Sequence, residues 1–392
     1  MLFITITTLH QESDFLMGIH IELISIILIL TSILLFFKIN SINTLNHENA
    51  YPITICFLLA LSPLISSYAN IDYLNIINDE EYKSFIKTLF ITPLIFLYLK
   101  YATNSDKKLI ANLYVFFIGI LGIYFFYRYL ALNEIREYDL RPKLKIKHGD
   151  PNFLCTIFSI GVPLCIKISF NNFKKENNKQ SIFFMLLSLF LIICALATQS
   201  RMGIVALIIG LIYLFTKSFW NYSKKTIIAI VIFATTLLTF IYYSGSLERF
   251  QNINDKSNSD RVLTYQNGIA IISEFPILGV GMHKAQLSFY KNTHYPNFQS
   301  EFNQLDIHNT FLKIFAELGI WGLFLFLNII NYCWPKGEPQ NTNIYFLKSS
   351  YIILVISCLT IGITYKDFLY FHLFILAGLS IENNSKKYDL IN

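Results

Sequence analysis

Apolar runs close to the roughly 20 residues that carry an α-helix across a bilayer recur along this chain from one end to the other. A soluble domain has about 25% charged residues. This chain of 392 residues has 14%, with 54% hydrophobic residues and a mean hydropathy of +0.49. That balance excludes a disordered chain, a nucleic-acid-binding domain and a small disulfide scaffold. The expected fold is an all-α polytopic membrane protein forming a single transmembrane domain over residues 1–392.

Eleven candidate spans lie near 21–38, 50–67, 84–102, 109–132, 152–170, 181–199, 202–219, 225–244, 309–332, 345–364 and 367–381. Residues 1–16 are too short to span, so a twelfth helix is either missing or degenerate. Connections are brief except at 133–151 and at 245–308, the second expected to be partly helical. Cys56, Cys155, Cys165, Cys194, Cys333 and Cys358 fall in or beside apolar runs without a C-x-x-C pair, and are expected to be packing residues. The first lysine or arginine is Lys38, so the basic start of a cleavable signal peptide is not expected.

Lysines orient the chain. Alternate loops carry Lys100, Lys107 and Lys108; Lys167, Lys174, Lys175 and Lys179; Lys217, Lys224 and Lys225; Lys336; and, in the tail, Lys386 and Lys387. By the positive-inside rule these face the cytoplasm, and both long loops face outward. The six arginines (Arg128, Arg136, Arg141, Arg201, Arg249 and Arg261) all fall on the outer side or at the outer end of a span. Segment 134–148 adds Lys143, Lys145, Lys147 and His148 to that face, against the expected bias. Arginine's planar fork suits bidentate recognition of phosphate, so an outer anion site is one reading. Solvated pairing with Glu134, Glu137, Asp139, Glu248 and Asp260 is the other.

Three positions stand out. Arg201 occupies a very short break between two apolar runs, where an arginine needs a partner or a wet cavity. Arg261 opens RVLTYQNGIAIISEF, in which Val262, Tyr265, Ile269, Ile272 and Phe275 recur at helical spacing. That pattern predicts an amphipathic helix on the bundle, capped by Ser259 or Asp260 and ended by Pro276. Arg261 would then sit in the first turn, where the helix dipole disfavours a cation and an anion is the natural partner. His308 precedes a span that Asn309 or Thr310 can cap. The positive end of that helix favours a neutral imidazole, able to accept a proton. Asp306 either orients the ring or is solvated, and Lys313 and Glu317 are expected to pair with each other. His148, with Asp150, opens the fifth span and is a candidate for the same cavity. Gly279-Val280-Gly281 reads as a turn rather than a phosphate cradle. No D-x-D, H-E-x-x-H or P-loop is present, so neither a metal site nor a nucleotide site is expected.

Three stretches, TQSRMGIVALIIG, SDRVLTYQNGIAIISEFPILGVG and HNTFLKIFAELGIWGLFLF, resemble in sequence and order the O-antigen ligase and O-antigen polymerase superfamily of bacterial inner-membrane enzymes. The resemblance implies a glycosyltransferase at the periplasmic face that needs neither metal nor nucleotide. Its donor would be polysaccharide on undecaprenyl diphosphate, and its acceptor a lipid A-core sugar. Carried over, Arg201 and Arg261 hold the diphosphate and His308 deprotonates the acceptor hydroxyl. Arg136, Arg141, His148 and Asn309 are candidate substrate-binding residues. Family members typically have about twelve spans and a cytoplasmic N-terminus, whereas the lysine pattern here gives eleven and an outer one. The reading leans to ligase, with a polymerase joining lipid-linked repeats as the alternative. A secondary transporter or lipid-linked sugar flippase fits less well, since the span centres carry little charge and proline looks scarce within them.

Overall fold

The computed structural model describes residues 47–69, 80–131, 151–218, 256–285, 306–337, 343–362, 364 and 367–381. Among these residues there is no strand, and the helices are α1 (His47–Ala69), α2 (Glu80–Tyr101), α3 (Asn104–Ala131), α4 (Pro151–Phe173), α5 (Asn178–Ala197), α6 (Arg201–Ser218), α7 (Lys256–Glu274), α8 (Thr310–Tyr332), α9 (Asn343–Cys358) and α10 (Asp367–Ser380). The chain is an all-α multi-pass membrane protein: α1, α2, α3, α4, α5 and α8 are each long and apolar enough to cross a bilayer. Nine of the eleven expected spans fall on helices; those at 21–38 and 225–244 lie outside the described residues.

Helix α4 is the axis of the bundle, with 89% of its membrane window buried. It packs against α3, α5, α6 and α9. In lipid, helices gain nothing from hiding apolar surface from water, so close approach and interhelical hydrogen bonds hold them together. Both are visible here. The Ser350 hydroxyl donates to the Ile160 carbonyl at 2.9 Å, and the Ser349 hydroxyl to the Gly210 carbonyl at 2.7 Å. A Cβ on Gly203 would come 2.4 Å from the Cys155 sulfur, which is how closely α6 approaches α4. All six cysteines are free and buried, as expected of packing residues.

Proline is not scarce within the helices, contrary to the sequence reading: Pro52 and Pro63 stand in α1, Pro93 in α2 and Pro163 in α4. Proline leaves the carbonyl four residues back without its helical donor. At Pro63 that carbonyl belongs to Leu59, and the Ser62 hydroxyl supplies the donor at 2.7 Å. Neighbouring side chains thus let the helix continue in lipid. The span expected over 345–364 ends sooner, at Cys358. The residues that follow, Ile361 and Gly362, are taken up by contact with the start of α8.

Helix α8 is broken at Gly319, where φ is 67° and ψ is −170°. The break would strand carbonyls and an amide at membrane depth, which is costly without new partners. The turn after α7 provides them. The Val280 amide donates to the Ala316 carbonyl at 3.0 Å and the Gly281 amide to the Glu317 carbonyl at 2.8 Å. In return the Ile320 amide donates to the Pro276 carbonyl at 2.9 Å. The Ser66 hydroxyl of α1 adds a second donor to Glu317 O at 2.9 Å. Neither side of this contact has room for a side chain: a Cβ on Gly319 would fall 2.1 Å from Ile277 O, and one on Gly279 2.4 Å from the Glu317 carbonyl carbon.

Gly319→Ala therefore faces both a left-handed φ and a backbone collision, and is expected to cost about 3 kcal/mol or more. Gly119→Ala meets only the end of the flexible Leu187 side chain, at 3.0 Å, and is expected to cost far less. Thermal unfolding of the two purified variants makes the comparison; similar melting temperatures would contradict the stitched break.

Candidate functional site

Among the described residues, Arg201, Arg261 and His308 lie toward one end of the bundle. Phe170 of α4 stacks near Phe346 of α9 at 6.2 Å while Ile160 meets Ser350, so α4 and α9 run antiparallel. The end of α9 therefore lies beside the start of α4, and the start of α6 is there too, since the Ser200 hydroxyl donates to Asn152 Oδ1 at 2.7 Å. The start of α8 joins them through the Thr310 hydroxyl, which donates to the Ile361 carbonyl just beyond α9. The lysines Lys100, Lys107 and Lys336 occupy the opposite end, with α10's terminus. The outer and inner ends expected from charge are thus structurally separate.

Arg201 is the first residue of α6. It follows a three-residue turn in which Gln199 takes a left-handed φ of 53°. Ser200, buried, caps α6: its Oγ accepts from the Gly203 amide at 3.3 Å while donating to Asn152. Arg201 is thereby fixed at the positive end of a helix and half-exposed. A guanidinium there gains most when an anion shares the site.

Helix α7 begins at Lys256, so neither Ser259 nor Asp260 is its N-cap, and Arg261 lies in the second turn rather than the first. The dipole argument made for Arg261 applies instead to Arg201. The buried face of α7 also differs from the apolar periodicity: Thr264, Gly268 and Ile271 are buried, whereas Val262 and Ile269 are 56% and 61% exposed. The reason is proximity. Helix α7 runs parallel to α8, Tyr265 meeting His308, Gly268 meeting Leu312 and Pro276 meeting Ile320. A Cβ on Gly268 would come 3.1 Å from the Leu312 side chain, so the helices approach closely there, while Tyr265, Ile271 and Ile272 join the same apolar cluster. Helix α7 ends at Glu274, before Pro276 as expected. Gly279-Val280-Gly281 is a turn as expected, and the amides of Val280 and Gly281 are spent on α8.

His308 sits between buried Ile307 and the N-cap of α8. Asn309 is that cap, its Oδ1 accepting from the Leu312 amide at 3.0 Å. The Tyr265 hydroxyl donates to the His308 carbonyl at 3.0 Å, which fixes the peptide that bears the imidazole. Arg261 is one turn before Tyr265 on the same helix. Burial pushes the Tyr265 phenol up from its ordinary range, and the nearby Arg261 guanidinium pulls it back down. Arg261 and His308 are therefore brought together through Tyr265. Lys313 pairs with Asp306 at 2.6 Å rather than with Glu317, a correction to the helical-pair reading. Both Asp306 oxygens have partners, Lys313 Nζ on one and the Ile307 amide at 2.8 Å on the other. The pair clamps residues 306–309 onto α8.

Sequence reasoning missed Tyr265 as a positioning residue, and Ser200 with Asn152 as supports for Arg201. A serine directly before a helical arginine and a tyrosine four residues after Arg261 were the available signals. Arg136, Arg141 and His148 lie outside the described residues, as does Arg249. Among the described residues, no three His, Cys, Asp or Glu side chains cluster as a metal site would require.

No curated protein matches the chain. Residues 186–327 match the family model described as O-antigen ligase. The matched stretch begins within α5 and runs into the broken α8, taking in Arg201, Arg261 and His308. It does not separate ligases from polymerases. Over those residues the chain is similar to the O-antigen ligase family.

Proposed function

We propose that this protein is an O-antigen ligase of the bacterial inner membrane. It would transfer polysaccharide from undecaprenyl diphosphate to a sugar hydroxyl of the lipid A core, at the periplasmic face and without a metal ion. The observation that carries this reading is the Tyr265–His308 hydrogen bond inside the matched stretch, which joins the arginine-bearing helix α7 to the histidine at the head of α8. Lysines at the other end of the bundle support the orientation through the positive-inside rule.

The chemistry follows from the parts. A sugar hydroxyl is a weak nucleophile and needs a positioned base. His308 takes its proton as the hydroxyl oxygen bonds to the anomeric carbon, on the face opposite the diphosphate. The bond from that carbon to the diphosphate oxygen breaks, its electron pair leaves with the diphosphate, and configuration inverts. Arg201 and Arg261 hold the diphosphate and offset its growing charge, fixed donors that need no rearrangement during reaction. Asn309, Arg136, Arg141 and His148 complete the proposed substrate contacts. A polymerase would use the same donor and base but accept on a second lipid-linked repeat.

Deletion of the gene distinguishes these outcomes on a lipopolysaccharide gel run beside an assay for carrier-linked sugar. Bare core with long polymer still on the carrier is the result expected of a ligase. Core capped by a single repeat would identify a polymerase, and an unchanged ladder would refute both.

His308→Ala is expected to lower transfer at least ~100-fold, the usual scale for a lost general base, while the protein accumulates normally in the membrane. Arg201→Lys is expected to fall on a similar scale, because a point charge does not reproduce a bidentate fork. Tyr265→Phe keeps the ring and loses only the hydroxyl. Its expected signature is a kcat lowered about 10-fold with little change in KM, and full kcat in that variant would remove Tyr265 from the positioning of His308.

A further inference from the structure

His372 of α10 is buried within the bundle, 2% exposed, and takes no part in the proposed chemistry. The Tyr114 hydroxyl of α3 lies 2.5 Å from its Nδ1. We propose that His372, oriented by Tyr114, is a positioning residue for Arg201. It acts through the rings of Phe368 and Phe153 on the Asn152–Ser200 hydrogen bond. The proposal rests on the donor-holding role given to Arg201 above.

Tyr114 fixes the imidazole. The phenol has no other acceptor among the described residues, so its hydroxyl donates to Nδ1 and the ring hydrogen sits on Nε2. Nε2 is buried and finds no partner among the described residues. An unpaired buried N–H is costly. Other buried tyrosines join helices without that cost: the Tyr82 hydroxyl donates to the Ala60 carbonyl at 3.0 Å, and that of Tyr351 to the Ile330 carbonyl. A simple tie between α3 and α10 therefore needs no imidazole. What the imidazole adds is a flat ring held at a set angle.

That ring meets Phe368, one turn earlier on α10, with centroids 3.9 Å apart and planes at 80°. Phe368 in turn meets Phe153 of α4, at 4.6 Å and 64°. Both are the edge-on contacts that aromatic rings prefer, and all three rings are buried. Phe153 belongs to the first turn of α4, where backbone amides lack partners inside the helix. Tertiary contacts therefore decide where that turn stands. Asn152, the residue before Phe153, accepts from the Ser200 hydroxyl at 2.7 Å, and Ser200 caps the helix that Arg201 opens. A close-packed interior has little slack to absorb a displaced ring, so a turned imidazole is felt at that cap.

The test uses the full-length protein in lipid nanodiscs with isotope-labelled arginine, followed by NMR. The Arg201 side-chain signal is identified by its loss in Arg201→Lys. Tyr114→Phe, His372→Phe and Phe368→Leu are expected to shift that signal. In the transfer assay the same variants should lower kcat/KM for the lipid-linked donor about 10-fold, chiefly through KM, whereas Tyr265→Phe acts on kcat. Combining Tyr114→Phe with Phe368→Leu should add little to either alone, because one contact acts through the other. Ser350→Ala removes a buried tie between α9 and α4; it should lower Tm and leave the Arg201 signal in place. An unmoved signal in both Tyr114→Phe and Phe368→Leu, an equal shift in Ser350→Ala, or additive effects on KM would each overturn the proposal. Tyr114→Phe removes a single oxygen and decides the matter if His372→Phe does not accumulate. Absence of transfer by the unaltered chain would remove the proposed function instead, and the arginine signal would still report on the coupling.

Discussion

The arrangement of the end that carries Arg201 and His308 depends on one exchange of backbone hydrogen bonds. Helix α8 gives up its own ladder at Gly319, and the turn at 276–281 takes the vacated carbonyls of Ala316 and Glu317. An isolated break in hydrocarbon would leave polar groups unsatisfied at several kcal/mol each. A turn threaded to that depth would carry the same penalty by itself. Each is tolerable only in the presence of the other. Gly319 lies nine residues into α8, so the turn reaches about 14 Å along the helix at 1.5 Å per residue. The loop is thus anchored partway along α8, with residues 279–282 buried and 273–277 exposed.

That anchor sets the register of α7. With Pro276 bound at Ile320, a helix leading into the turn has to run alongside the first half of α8, and Tyr265 arrives at His308 as a consequence. The head of α8 is then held from three directions: by Tyr265, by the Ile361 carbonyl on Thr310, and by Asp306 on Lys313. In the proposed reaction His308 would have to meet a sugar hydroxyl at hydrogen-bond distance, and such constraint would serve it, since small misplacements are costly in rate. Arg201 reaches the same end independently, through the close packing of α6 on α4 at Gly203 and the Ser200–Asn152 hydrogen bond.

Much of this was legible in the sequence because it rests on length and charge. Span positions, cysteine burial, the separation of lysine from arginine ends, the Asn309 cap and the Gly-Val-Gly turn follow from local chemistry that acts over a few residues. The face of α7 did not, and the cause is specific. Hydrophobic periodicity marks the side with large apolar residues, and Tyr265 and Ile272 of that set do pack on α8, but the close approach at Gly268 rotates the helix so that Val262 and Ile269 turn away. The Lys313 partner was hidden for a related reason. Glu317 offered a helical neighbour at the ordinary spacing, whereas Asp306 becomes available only once the chain before α8 folds back over the helix start. Proline's frequency in the helices was also underread, although at Pro63 the rescuing donor is local, the Ser62 hydroxyl on the Leu59 carbonyl of the same helix.

The two ends of the bundle face different physical problems with the same means. At one end Arg201 stands at a helix start, where the backbone presents amide donors and the dipole attracts anions, while Lys313 at the head of α8 is paired with Asp306. At the other end Lys100 closes α2 and Lys336 follows α8, beside helix finishes where the backbone presents carbonyls. The first arrangement adds a planar fork to a field of the same sign, which is what the proposed diphosphate contact would use. The second sets cations against carbonyl ends, so the same charge serves to neutralise helix finishes.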